Sequence, residues 1–177
     1  LRSDDGSGGV TPYITLDGGL GYTTVQKDIR FEDNVQLELG TGRDLYIYSD
    51  GGNGLITNNV GNLIITNDVD DGDIIFQSDD GSGGVATYFF LDGSENGTSP
   101  LTVFPDNSRL TFGTGNDLNI SHEAGNSYIQ NITGDLYIKQ RTDDGDMIFQ
   151  CDDGSGGDAT YFALDGGAAL TKFYKDV

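Results

Sequence analysis

Three kinds of residue in this 177-residue chain have the chemistry to act on something: serines flanked by glycine, aspartates in adjacent pairs, and a single histidine. The serines stand in "SDDGSGG" at 3–9, again at 78–84, and in "CDDGSGG" at 151–157. A hydrolase nucleophile elbow needs Gly-x-Ser-x-Gly, whereas the order here is Gly6-Ser7-Gly8 and its copies. All three serines would have to share His122, and a nucleophile needs its base within hydrogen-bonding reach. The competing reading is a tight turn, in which Gly supplies positive φ and Asp or Ser bonds nearby backbone. A turn accounts for all three copies at once.

Paired carboxylates are the machinery of glycoside hydrolysis. Here the pairs recur at 4–5, 70–71, 79–80, 143–144 and 152–153, and the chain has no Trp on which a sugar ring could stack. An active site is normally needed once per surface, so repetition counts against catalysis. The chain is expected not to be an enzyme, with no catalytic and no cofactor-binding residue assigned. Calcium is the stronger proposal, because "DVDDGD" at 68–73 and "TDDGD" at 142–146 gather oxygen ligands beside Gly. Neither string fits the twelve-residue EF-hand loop or the nine-residue period of calcium-binding β-rolls. Plain Asp-Gly turns are the simpler reading and calcium at some corners the alternative; no metal ligand is assigned.

The elements that would hold these residues follow from composition. Of 29 acidic residues 25 are Asp and 4 are Glu, and 28 Gly and 12 Asn stand against 6 Ala. Asp, Asn and Gly favour turns and caps, whereas Glu and Ala favour helices. Strands and turns are therefore expected, without helices. Leu, Ile, Val and Phe still supply 45 residues at regular spacing, which separates this chain from a disordered one. The net charge of −20 opposes binding to nucleic acid and to anionic membranes. No apolar run reaches the roughly 18 residues of a membrane helix. The lone thiol, Cys151, occupies the place of Ser3 and Ser78, as a turn position would allow. Matches to Asn-x-Ser/Thr at Asn96-Gly97-Thr98 and Asn131-Ile132-Thr133 are expected by chance in this composition.

The repetition extends beyond the corner strings. "DDGSGGVTPYITLDG" at 4–18 aligns without gaps with "DDGSGGVATYFFLDG" at 79–93 and "DDGSGGDATYFALDG" at 152–166. Residues 28–77 align likewise with 101–150, about half the positions being identical. The chain reads as repeat unit one at 1–77, unit two at 78–150 and the beginning of unit three at 151–177. It opens "LRSDD" rather than on Met and stops inside the third copy, as a window cut from a longer array would.

Within unit two, strand-like runs are expected at 85–91, 101–104, 109–112, 117–121, 127–130, 136–139 and 147–150, a spacing typical of all-β architectures. In the first of these, Ile14/Phe89/Phe162 and Leu16/Leu91/Leu164 are apolar in every copy, and Thr15/Phe90/Ala163 between them is not. That pattern predicts a buried face and an open one. Tyr13, Tyr88 and Tyr161 fall on the open face, as partner contacts or rim residues. Elsewhere, Leu45 and Ile47 share one face with Tyr46 and Tyr48 on the other, and Leu136 and Ile138 flank Tyr137.

Each run offers about two inward apolar side chains. Burying one is worth roughly 1.5–3 kcal/mol, against about 1–2 kcal/mol of ordering cost per backbone residue. A lone unit is marginal on these terms. Repeats stack to solve this, and several identical chains closing around one axis solve it again while removing exposed edges. A trimer would carry three times the charge of −20, a repulsion that salt relieves as the Debye length shrinks from about 8 Å at physiological ionic strength to about 3 Å at 1 M.

In combination, "SDDGSGGVATYFFLDG" and then "TVFPDNSRLTFGTGNDLNISHEAGNSYIQNITGDLYIK" resemble repeats of tail-fibre and related structural appendage proteins of marine bacteriophages, cyanophages included. Comparable stretches there run like "FGDSGDLQIYHDGSNSYI", with "TGDLYI" following. His122 stands at the place of that histidine, but unit one has "YSDGGNGLI", so no function attaches to it. The resemblance covers essentially the whole chain and hands over no catalytic residue. It implies a virion tail fibre or spike, usually trimeric, whose partners are identical chains, other virion tail proteins and a host cell-surface glycan or receptor. The expected fold is an all-β, repetitive β-solenoid or β-prism-like fibre of short strands, wound or stacked as a parallel homotrimer. The expected function is a structural shaft or spacer supporting host attachment. The alternatives are a glycan-binding module carrying its tyrosines outward, and a calcium-stabilised cellular adhesin.

Overall fold

The computed structural model describes residues 1–94 and 99–175; the Asn96-Gly97-Thr98 match lies outside them. Every regular element is a short β-strand, and every strand pair is antiparallel. There is no helix among the described residues, and so none long and apolar enough to cross a membrane. The chain divides into two compact units, Leu1–Thr66 and Asn67–Val177.

In the first unit, β1 (Arg2–Asp4) pairs with β2 (Val10–Pro12), and β3 (Ile14–Asp17) with β4 (Tyr22–Val25). A three-stranded meander follows, formed by β5 (Leu37–Leu39), β6 (Leu45–Ser49) and β7 (Gly54–Asn58). The second unit holds three meanders. The first contains β8 (Ile74–Asp79), β9 (Val85–Asp92) and β10 (Leu101–Val103). The next contains β11 (Arg109–Phe112), β12 (Leu118–Glu123) and β13 (Asn126–Asn131), and the last β14 (Met147–Asp152), β15 (Asp158–Asp165) and β16 (Leu170–Phe173).

Two sheet types therefore alternate along the chain. A corner sheet carries the "DDGSGG" string between its first two strands, and an intervening meander (β5–β7, β11–β13) carries "GTGRD" or "GTGND". Aligned positions share backbone as well as sequence. Asn34 and Asn107 have φ of 64° and 67°, and Asp71 and Asp144 have 59° and 56°. Where the residues differ, Arg43 and Asn116, φ is still 58° and 57°. Asn and Asp tolerate this left-handed region best. The division between Thr66 and Asn67 falls ahead of the second "DDGSGG" corner, whose flanking strands β8 and β9 belong to one sheet.

Two expectations need correction. The run at 136–139 is not a strand in this chain, and neither is its counterpart at 63–66; both lie outside every ladder because no neighbouring strand of the chain reaches them. The face assignment of the first strand is also reversed at two positions. Leu16, Leu91 and Leu164 are exposed, whereas Ala163 is 2% exposed and is the buried apolar residue among those described. Ala163 is a one-carbon side chain flanked across the sheet by Ile148 and Lys172, whereas Leu164 borders an open hollow together with Ile138 and Met147. The all-β class holds: the described residues form small, separate antiparallel sheets, with no continuous solenoid sheet and no closed barrel among them.

Candidate functional site

The corner is the most repeated local structure. In each copy the first Asp accepts from the N–H two residues on: Asp4 Oδ1 from Gly6 at 2.6 Å, Asp79 from Gly81 at 2.7 Å, Asp152 from Gly154 at 2.6 Å. The second Asp does more. Asp80 Oδ1 accepts from the Ser82 N–H at 2.7 Å, the Ser82 hydroxyl at 3.0 Å and the Gly84 N–H at 3.0 Å. Asp5 and Asp153 repeat the set with Ser7 and Gly9, and with Ser155 and Gly157. The main chain closes the same loop, Asp80 N–H donating to the Gly84 carbonyl at 3.1 Å.

Each glycine of the string has a distinct reason to be there. Gly81 and Gly83 have φ of 79° and 89°, where an L side chain is strained. Gly84 has no such φ, but a Cβ there would run into the Asp80 carboxylate, as one at Gly9 would into Asp5 and one at Gly157 into Asp153. These three acids are held below their ordinary pKa of 3.8 by the donors they accept. The leading donor is the Ser N–H for Asp5 and Asp80 and the Ser hydroxyl for Asp153.

The tyrosines that the strand pattern left as rim or partner residues complete the corner. Tyr88 Oη donates to the Asp79 carbonyl at 3.0 Å, Tyr161 to Asp152 at 3.2 Å and Tyr13 to Asp4 at 3.5 Å. A β-bulge aims them. The ladder steps from Phe76↔Phe89 to Gln77↔Thr87, leaving Tyr88 as the extra residue, and from Phe149↔Phe162 to Gln150↔Thr160, leaving Tyr161. At Tyr13 the strand breaks, and the N–H groups of Tyr13 and Ile14 both donate to the Leu1 carbonyl. The constant spacing of nine residues between the first Asp and the Tyr is the sequence signal for this clamp.

Beside the bulge an aromatic ladder crosses each full corner sheet. Phe76 stacks on Phe89 with centroids 4.5 Å apart, and Phe89 on Phe104 at 5.7 Å. Phe149, Phe162 and Phe173 repeat it at 4.3 Å and 6.1 Å. Unit one substitutes aliphatic residues, Ile14 opposing Val25. The outer rings of each ladder are exposed.

The intervening meanders are inverted relative to an ordinary amphipathic sheet. In β12, Asn119 is 4% exposed and Ser121 8%, while Ile120 between them is exposed. Ile120 is opposed by Leu110 and Ile129, both exposed, and Phe112 lies on the same side. In β6 Leu45, Tyr46 and Tyr48 are half-buried, and Ile47, opposed by Leu37 and Ile56, is open. The apolar set recurs residue for residue: Leu37/Leu110, Leu39/Phe112, Ile47/Ile120, Ile56/Ile129. A hollow of about 490 Å³ opens on this face in the second unit, lined by Phe104, Leu110, Ile120 and Ile129 with His122 and Ser127.

The structure brings His122 beside a serine outside the corners. His122 Nδ1 lies 3.0 Å from Ser127 Oγ, while the corner serines Ser7, Ser82 and Ser155 give their hydroxyls to Asp. In the "DDGD" strings, Asp73 Oδ1 accepts from the Gly93 N–H and Asp146 Oδ1 from the Gly166 N–H, each at 3.0 Å. No cluster of three or more His, Cys, Asp or Glu side chains able to hold a metal ion occurs among the described residues. Cys151 is exposed. The arrangement offers rigid corners and open apolar faces. No protein-family model, curated protein or solved structure matches the chain.

Proposed function

We propose that this chain is a shaft or spacer segment of a viral tail fibre or spike, in which identical chains, three in parallel, complete a core that one chain leaves open. The observation that carries this reading is the surface. The chain exposes 14167 Å², whereas two separate folded units sharing its 18.9 kDa should together expose about 10,000 Å². The excess is about 4,200 Å². An obligate interface removes roughly 1,000–2,500 Å² per partner, so two neighbours per chain account for the excess better than one. Consistent with this, no large side chain is fully buried among the described residues.

Stacking these short sheets along and around a common axis gives the solenoid- or prism-like fibre that the repeat pattern suggests. The resemblance to marine phage appendages supplies the setting: a virion, attached through other tail proteins, presenting a distal tip to a host-surface glycan or receptor. The mechanism is mechanical. Hydrogen-bonded corners fix where each sheet turns, repeated units set length, and the charge of −20 per chain keeps neighbouring fibres from bundling.

A glycan-binding role for Tyr88 and Tyr161 is the weaker reading, since both hydroxyls are engaged by their own corners. Sedimentation equilibrium and a glycan array test the proposal together. A mass of three chains with no array signal supports the shaft; a mass of one chain, or saturable glycan binding lost in Tyr88→Phe/Tyr161→Phe, overturns it.

A further inference from the structure

The segment at 136–139, "LYIK", alternates as a strand does, and its counterpart at 63–66, "LIIT", is a short apolar run, yet neither belongs to a ladder. Their main-chain N–H and C=O groups take part in no hydrogen bond with the backbone of the other described residues. Their apolar side chains face solvent: Ile64 is 77% exposed, Ile65 62%, Tyr137 70% and Ile138 64%. Water could satisfy the backbone, but a solvated connector has no use for Leu63, Ile64 and Ile65 or for Leu136 and Ile138. Backbone polar groups flanked by apolar side chains are normally paired.

The approach to each segment is also built. Asn58 Nδ2 donates to the carbonyls of Val60 and Gly61 at 2.9 and 3.0 Å. Asn131 Nδ2 donates to those of Thr133 and Gly134 at 2.9 and 2.8 Å. The braced turn leads the chain out of the preceding meander at the same point in both units, at Gly61 (φ 65°) and Gly134 (φ 67°). It delivers an apolar segment that no strand among the described residues pairs with.

We infer that 63–66 and 136–139 are strands completed in trans, each pairing with an edge strand of another copy of this chain. The inference rests on the fibre reading above and names how its copies interlock. A second copy is the occupant because each unit offers one such segment together with unpaired meander edges, so identical chains supply both halves of the ladder. The surface excess of about 4,200 Å² also exceeds what one pairwise obligate interface removes from a chain. Exchange between chains would convert stacked copies into an intertwined assembly.

Hydrogen exchange read by mass spectrometry on the unmodified chain, at a concentration where its mass has been measured, tests this. In an assembly of three chains, amides of 63–66 and 136–139 should exchange at least about 100-fold more slowly than in an unstructured peptide of the same sequence. Peptide-like rates in a verified trimer overturn the trans pairing and leave the fibre reading standing. Peptide-like rates in a single chain overturn both. Slow exchange in a verified single chain shows a partner within the chain and likewise overturns both.

Discussion

The Tyr88 hydroxyl donates to the main-chain carbonyl of Asp79, nine residues back, at 3.0 Å. That bond ties the bulge in β9 to the corner that precedes it, and its counterpart from Tyr161 to Asp152 does the same in the last sheet. The tyrosines thus serve the corner. Tyr88→Phe and Tyr161→Phe should each cost about 0.5–1.5 kcal/mol, toward the lower end because the rings are about half exposed. Chemical denaturation measures the loss, and the mass in solution should be unchanged.

Gly84 is the residue of the corner whose replacement looks harmless from its backbone and is not. Gly84→Ala places a Cβ against the Asp80 carboxylate and displaces the acceptor of three hydrogen bonds. Gly81→Ala instead forces a side chain to φ 79°. Both should destabilise, by about 1–3 kcal/mol, and Gly84→Ser should be no better tolerated than Gly84→Ala. Thermal melting of the three variants checks this.

Acid should loosen the corners in a defined direction. Asp5, Asp80 and Asp153 are held below 3.8 by donors that exist only in the folded state. Their contribution is complete above the unfolded value and is lost as pH falls through the lower folded values. Stability should therefore decline from about pH 5 downward. Asp80→Asn, which keeps the shape without the charge, should be less stable at neutral pH and show a shallower decline toward acid.

Calcium should make little difference. Asp73, Asp146 and the second Asp of each corner already accept main-chain N–H groups. Melting curves with calcium and with a chelator should superimpose, and a rise of several degrees with calcium would favour the adhesin reading.

The strands at 109–112 and the corner at 78–84 were legible because their signals are local: alternation in one, Asp and Gly at fixed offsets in the other. Tyr88 was read on the open face and is exposed there, but its bond to the Asp79 carbonyl was not legible, because the bulge that aims it is a property of the pair of strands. Leu91 and Leu164 were expected inside and are exposed, since burial depends on what lies over a sheet, which no single strand encodes. The run at 136–139 reads as a strand and is unpaired for the same reason: alternation reports readiness to pair and does not name the partner. Asn131, whose side chain braces the turn ahead of it, was legible only as a chance glycosylation match.

Equilibrium unfolding followed across a hundredfold range of protein concentration tests most directly whether separate copies share one core. Copies that complete one another unfold and separate together, so the midpoint should climb as concentration rises. A midpoint that stays fixed across the range, with a sedimenting mass of 18.9 kDa, would contradict the account.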